Sequence, residues 1–113
     1  MALNLFAGIP VRDYPAALVW YERFFGAPPS FEAHETEVVW ELADGRSVYV
    51  LLSPEHAGHA MITIIVGDFD ERVAAIAERG IEPATNETYG NGMRKATYRD
   101  PDGNEFGLGG APV

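Results

Sequence analysis

The sequence predicts an α+β domain made of two copies of a βαβββ module, and three observations carry that expectation. Ile9, Val11, Asp13 and Tyr14 recur as Ile64, Val66, Asp68 and Phe69, each shifted by 55 (66 minus 11), and Gly26 recurs as Gly80. Each copy holds one stretch with apolar residues at helical spacing, opened by Asp and closed by Gly. Each copy then ends in a hairpin centred on Asp-Gly, at Asp44-Gly45 and Asp102-Gly103. Two copies make a duplication, not a solenoid.

In order along the chain, Leu3 to Val11 is apolar enough for a buried strand. Asp13 supplies an N-cap for a helix whose Tyr14, Leu18, Tyr21 and Phe25 share one face. Gly26 offers the left-handed residue after the helix, and Pro28-Pro29 prevents continuation. Pro29 to His34 reads as a weak strand, followed by strands at Glu37 to Leu42 and Ser47 to Leu52. In the second copy Met61 to Val66 is the strand. Asp68 with Glu71 forms a capping box, Phe69, Val73 and Ile76 make the buried stripe, and Gly80 stops the helix. Ile81 to Thr88 is the weak strand, with Met93 to Arg99 and Asn104 to Leu108 closing the copy. The whole is one domain over 1–113: module one about 1–52, a linker over 53–60, and module two about 61–110.

Net charge narrows the partners. With 8 basic against 17 acidic residues the chain carries −9, which repels nucleic acid and anionic membrane and favours a cationic or neutral small ligand. No apolar run approaches the roughly 20 residues that span a bilayer, and no signal-peptide pattern opens the chain, so the cytoplasm is the expected compartment. Cysteine is absent, which removes disulfides, a thiol nucleophile and thiolate metal sites together.

The most specific motif is Tyr98 to Leu108, Y-R-D-P-D-G-N-E-F-G-L. Asp100 can accept from the turn backbone, Pro101 presets φ, and Gly103 takes the positive φ that closes a three-residue loop. This run resembles the last hairpin of the vicinal-oxygen-chelate superfamily, which includes glyoxalases, extradiol dioxygenases and bleomycin-binding resistance proteins. With the duplication, the resemblance extends over nearly the whole chain. It implies two tandem βαβββ modules forming a curled, mixed-sheet cup with the helices on the outside, and a homodimer that often builds the cup across a twofold. Whether the modules pair within one chain or by exchange stays open.

The resemblance also implies where metal ligands would stand. The usual histidine or glutamine of the first strand falls on Phe6, the histidine of module two on Met61, the acid of module one within Tyr49 to Leu51, and the final glutamate on Gly107. None supplies the expected donor, so no metal and no cofactor are expected. His59, with His56 near it, is the one place for a displaced site; a solvated loop histidine is the plainer reading.

Strand alternation then gives the cup lining. Phe6 brings Asn4 and Gly8 with it, and Met61 brings Thr63 and Ile65. The Asp44-Gly45 turn is expected to pair Trp40 with Tyr49 and Val38 with Leu51; the Pro101-Asp102-Gly103 loop pairs Thr97 with Gly107 and Arg99 with Glu105. Phe6, Val38, Trp40, Tyr49, Leu51, Met61 and Ile65 thus form an apolar wall, with Thr63, Lys95, Thr97 and Glu105 as sparse polar groups. The opposite face has its own set in Leu5, Ile9, Ile62, Ile64, Phe106 and Leu108. An aromatic cluster on a strand is also what ordinary core looks like. The Tyr89-Gly90-Asn91-Gly92 loop either closes over the cup or simply connects strands.

Three functions compete. The first is a metal-free binding protein that sequesters an antibiotic or other aromatic, cationic molecule, with Trp40 and Tyr49 stacking on it. The second is a metal-independent isomerase or lyase, with Glu105 or His34 as base and Lys95 stabilising an oxyanion. The third is a glyoxalase-like enzyme with a displaced metal near His59.

Overall fold

In the computed structural model, which describes residues 3–112, the elements are β1 (Leu5–Val11), α1 (Tyr14–Phe25), β2 (Phe31–His34), β3 (Glu37–Ala43), β4 (Arg46–Leu52), β5 (Met61–Val66), α2 (Phe69–Glu78), β6 (Thr85–Thr88), β7 (Arg94–Arg99) and β8 (Glu105–Gly110). The βαβββ order appears twice. Each module makes its own four-stranded sheet, ordered β1-β4-β3-β2 and β5-β8-β7-β6, with one parallel pair (β1 with β4, β5 with β8) and the rest antiparallel.

Local chemistry explains the helix ends. Asp13 Oδ1 accepts from Ala16 N at 3.1 Å, and Gly26 takes the left-handed conformation (φ 76°) that terminates α1. At α2 the expected capping box is not formed. Asp68 is the N-cap residue, but its carboxylate accepts from Arg72 Nε at 2.6 Å one turn later. A charge-assisted bond to Arg72 outcompetes the neutral backbone donor on this exposed end. The Tyr89–Gly92 segment is a hydrogen-bonded hairpin connection, with Tyr89 N donating to Met93 O at 2.8 Å.

One core serves both modules. Phe24 of α1 lies 5.0 Å from Tyr98 and 5.1 Å from Phe106 on the second sheet, while Phe25 lies 5.3 Å from Trp40 on the first and 5.5 Å from Phe106. The helix-bearing faces of the two sheets therefore turn toward one another, and α1 fills the space between them. From the C-cap of α2, Arg79 reaches back to the last carbonyls of α1, donating to Arg23 O and, at 2.8 Å, to Phe24 O. The helices lie outside the cup faces, as expected, but in one chain those cup faces point away from each other. No described strand of one module is paired with a strand of the other.

The Asp-Pro-Asp-Gly-Asn hairpin is the second tie between modules. Asp100 is buried and accepts four hydrogen bonds: Oδ1 from Asp102 N and Asn104 N (both 2.9 Å), Oδ2 from Tyr21 Oη (2.8 Å) and Asn104 Nδ2 (2.9 Å). Asn104, also buried, donates to Pro10 O at 2.8 Å and accepts from Ala60 N at 2.9 Å. One hairpin thus holds β1, α1 and the linker.

Register corrects one expectation. Ala43 pairs with Arg46 around the Asp44-Gly45 turn, but the ladder shifts between Glu41 and Ala43, leaving Leu42 as a bulge. Beyond it Trp40 faces Val48, Val39 faces Tyr49 and Val38 faces Val50. A one-residue slip moves every side chain to the other face. Trp40 and Val38, expected to line the cup, belong to the helix side: Trp40 is 3% exposed, packs on Tyr21 and Phe25, and donates Nε1–H to Ala27 O at 2.9 Å. Leu5, expected on the helix side, stays exposed at the start of β1.

Burial, and then the neighbouring Asp100 carboxylate, push the Tyr21 phenol well above its usual value near 10. Folded Tyr21 keeps its proton where the unfolded chain loses it, so this contribution is intact below pH 10 and falls away as pH rises above it. Tyr98, raised by burial and then by Glu82, adds in the same direction. Tyr21→Phe is expected to lower stability at pH 7 by about 1.5–3 kcal/mol, because it deletes a buried bond to a carboxylate. It should also flatten the decline above pH 10 by up to about 1.4 kcal/mol per pH unit. Urea unfolding followed by circular dichroism from pH 7 to 11 measures both.

Candidate functional site

With the register known, each cup face can be built outward from its central parallel pair. In module one Phe6 sits beside Ser47, Gly8 beside Tyr49 and Pro10 beside Leu51. A Cβ on Gly8 would meet the Tyr49 ring at 2.7 Å, so glycine is what allows that ring to lie flat across β1. β3 adds Val39, and β2 adds Phe31, which pairs with it. Phe31 was missed in the sequence because β2 is short and Phe31 is its one large apolar residue; the signal lies in the alternation of Phe31 and Ala33 with Glu32 and His34.

In module two Met61 sits beside Glu105, Thr63 beside Gly107 and Ile65 beside Gly109. β7 contributes Lys95, Thr97 and Arg99 to the same face, opposite Gly109, Gly107 and Glu105. A Cβ on Gly107 would stand 2.8 Å from Lys95 Cε and 3.1 Å from Thr63 Oγ1, and one on Gly109 would stand 2.5 Å from Ile65 Cδ1. The two glycines form a floor over which those side chains fold.

The structure therefore brings together Phe6, Tyr49 and Leu51 on one face, and Met61, Thr63, Lys95, Thr97 and Glu105 on the other. It does not bring the two sets together within the chain. Large apolar groups on these faces remain in water: Met61 is 77% exposed, Ile65 69% and Phe6 53%. Glu105 pairs with Arg99 at 3.8 Å, and His34 with Glu37 at 3.4 Å on the other module.

The donor set does not suit a divalent ion. The positions where the resemblance puts ligands carry a phenyl ring, a thioether and a glycine, with the Tyr49 phenol as the one oxygen, and the Lys95 chain lies over Gly107. Among the described residues, no three His, Asp or Glu side chains converge on a common point, around His59 or elsewhere.

A recess of about 820 Å³ opens away from the cup faces, between the end of α1, β3, β5 and α2. Its walls include Phe25, Trp40, Leu42, Ile64 and Ile76, and Arg72 and Arg79 at its edge are already engaged by Asp68 and by the α1 carbonyls. It is a gap in the inter-module core, with Ser30, Glu41, Arg46 and Asp68 as further polar groups on its wall. No described helix is long and apolar enough to cross a membrane.

Comparison with known proteins places this geometry. Residues 3–108 match the family model described as Glyoxalase/Bleomycin resistance protein/Dioxygenase superfamily. The crystal structure of a glyoxalase/bleomycin resistance protein from Catenulispora acidiphila is similar at 55% identity, over 98% of this chain and all of that one, with a TM-score of 0.95. A bleomycin-binding protein in complex with bleomycin shares the fold at 19% identity and TM-score 0.78, over 96% of this chain and 98% of its own. A lactoylglutathione lyase from Agrobacterium tumefaciens shares it at 16% identity and TM-score 0.79, over 97% and 94%. No curated protein matches the chain in sequence. A duplicated βαβββ unit, a shared core and a family match over nearly every residue lead to one conclusion: the chain belongs to the Glyoxalase/Bleomycin resistance protein/Dioxygenase superfamily.

Proposed function

We propose that the protein is a metal-free binding protein that sequesters a small organic molecule, of antibiotic type, in a cup completed by a second copy of the chain. The observation that carries this reading is a pair of outward cup faces rich in exposed apolar groups, in which the family's chelating positions hold Phe6, Met61 and Gly107. Covering Met61, Ile65 and Phe6 is favourable by roughly 1.5–3 kcal/mol for each side chain fully buried. Among the described residues nothing covers them, so a homodimer in which module one of one copy faces module two of the other satisfies both faces. A protein of the same fold, described as a bleomycin-binding protein complexed with bleomycin, supports the reading.

The enzymatic reading has less support. Glu105 is engaged by Arg99, His34 stands on the other module, and the equal fold similarity to a lyase and to a drug-binding protein favours neither. No catalytic residue is assigned. The net charge of −9 draws cationic molecules at long range, while the contacts on the cup faces set what the bound molecule needs at its polar end.

Trp40 lies behind the sheet, so calorimetry rather than tryptophan quenching is the suitable readout. Titration of a panel of antibiotics that includes bleomycin, in the presence of EDTA, should show saturable binding that Phe6→Ala or Met61→Ala weakens by about tenfold. Absence of binding across the panel, or binding only with an added divalent ion, would sink the reading.

Sedimentation should report a dimer. Ile65→Asp, which puts a charge on the apolar face, is expected to give a folded monomer; a wild-type protein monomeric at tens of micromolar would refute the completed cup.

A further inference from the structure

We infer that Lys95 anchors an anionic oxygen of the molecule held in the cup, so that the ligand class is an apolar or aromatic body bearing a carboxylate, phenolate, enolate or sulfonate. The inference rests on the cup reading above and adds to it the sign of the ligand's polar end.

The cations of β7 divide by face and by partner. Arg94, on the helix side, pairs with Asp70 at 2.8 Å and stacks over Phe69. Arg99, on the cup side, pairs with Glu105. Lys95, between them and also on the cup side, makes no ion pair among the described residues, although Glu87 stands directly across from it on β6. Its stem runs the other way, over Gly107, where its Cε and the Thr63 hydroxyl converge above the same backbone atom. Any side chain at position 107 would displace that stem. The glycine floor thus gives the Lys95 stem room on the face that also carries Met61 and Ile65, and Lys95 as a whole is half-buried there.

An ammonium has three donors and no acceptor, and withdrawing it from water without an acceptor is unfavourable. Once the cup is covered, Lys95 needs an oxygen, and one carrying negative charge satisfies it best. Thr63 and Thr97 beside it offer hydroxyls that can complete the oxygen's shell. Lysine is a point charge without a planar fork, so the site selects for charge and not for one carboxylate geometry. The acidic field of the whole molecule does not overrule this contact. At physiological salt that field is screened over about 8 Å, whereas a half-buried pair in contact is screened far less.

Two dyes of similar shape and opposite polar character test the assignment: anionic 1-anilinonaphthalene-8-sulfonate and neutral N-phenyl-1-naphthylamine, titrated by fluorescence. Lys95→Met should weaken the sulfonate dye about tenfold, leave the neutral dye within about twofold, and preserve the sedimentation coefficient. Lys95→Arg should restore most of the loss. The control Arg46→Met removes a cation from the wall of the inter-module recess, on the helix side of module one, and should change neither dye if both sit in the cup. Equal weakening of both dyes by Lys95→Met, no weakening of either, or an equal effect of Arg46→Met would overturn the role of Lys95 while leaving the cup reading intact. A change of oligomeric state in Lys95→Met would overturn it as well, by showing that a carboxylate of the second copy is its partner. Failure of the wild-type protein to take up either dye refutes the cup itself.

Discussion

A buried carboxylate with four donors is the constraint on which the rest of the molecule depends. Asp100 lies on module two, yet one of its donors is the Tyr21 phenol on the helix of module one, and its neighbour Asn104 reaches both β1 and the linker. An isolated buried charge is among the least favourable groups a small domain can contain. It is tolerated here because every one of its donors is supplied by turn, side chain or helix at 2.8–2.9 Å. Those donors exist together only when the helix faces of the two modules are apposed. Their apposition in turn points both cup faces outward.

The duplicated plan was legible because its signals are local. Asp and Gly at helix ends, Asp-Gly at hairpin tips and apolar spacing need no knowledge of distant contacts. Trp40 shows where locality ends. A two-residue turn alone would have placed it beside Tyr49, and the turn is indeed formed, but Leu42 bulges out one step later. The bulge lets an indole bury fully, stack near two rings of α1 and donate to Ala27 O. That tertiary gain, invisible in the β3 sequence, outweighs one interrupted ladder position. The register of β7 and β8 had no such competitor, because Asp100 and Asn104 pin the loop from within. Phe31 was hidden for another reason: β2 is four residues long and carries no second large apolar side chain to set its face.

Equivalent positions of the two modules have diverged in opposite senses on the two sides of the sheets. On the helix side Trp20, Tyr21 and Phe24 of α1 correspond to Ala75 and Ile76 of α2 and to Arg79 at its C-cap, a shift of 55. The first set fills the inter-module space, and the second leaves the recess bordered by Trp40 and Leu42. On the cup side Tyr49 and Leu51 of β4 correspond to Gly107 and Gly109 of β8, a shift of 58 (102 minus 44 at the hairpin tips). Glycine lies under an aromatic ring on β1 of module one and under Thr63 and Lys95 on β8 of module two. Bulk and glycine have changed strands, so one face is an apolar wall and the other a shallow polar floor.

That asymmetry bears on function more than the fold does. A bleomycin-binding protein and a lactoylglutathione lyase share this fold to nearly the same degree, so the architecture leaves the chemistry undetermined. The side chains on the faces discriminate. A chelating site needs convergent oxygen or nitrogen donors, and an aromatic group, a thioether and a glycine under a lysine stem do not converge on a cation. The same arrangement suits an organic molecule, because an apolar wall rewards area and a single lightly supported charge fixes orientation. Gly107, one of the positions where a chelating side chain would stand, is instead the floor under Lys95 and Thr63, so at that position room for a lysine stem and a ligand for a cation exclude one another.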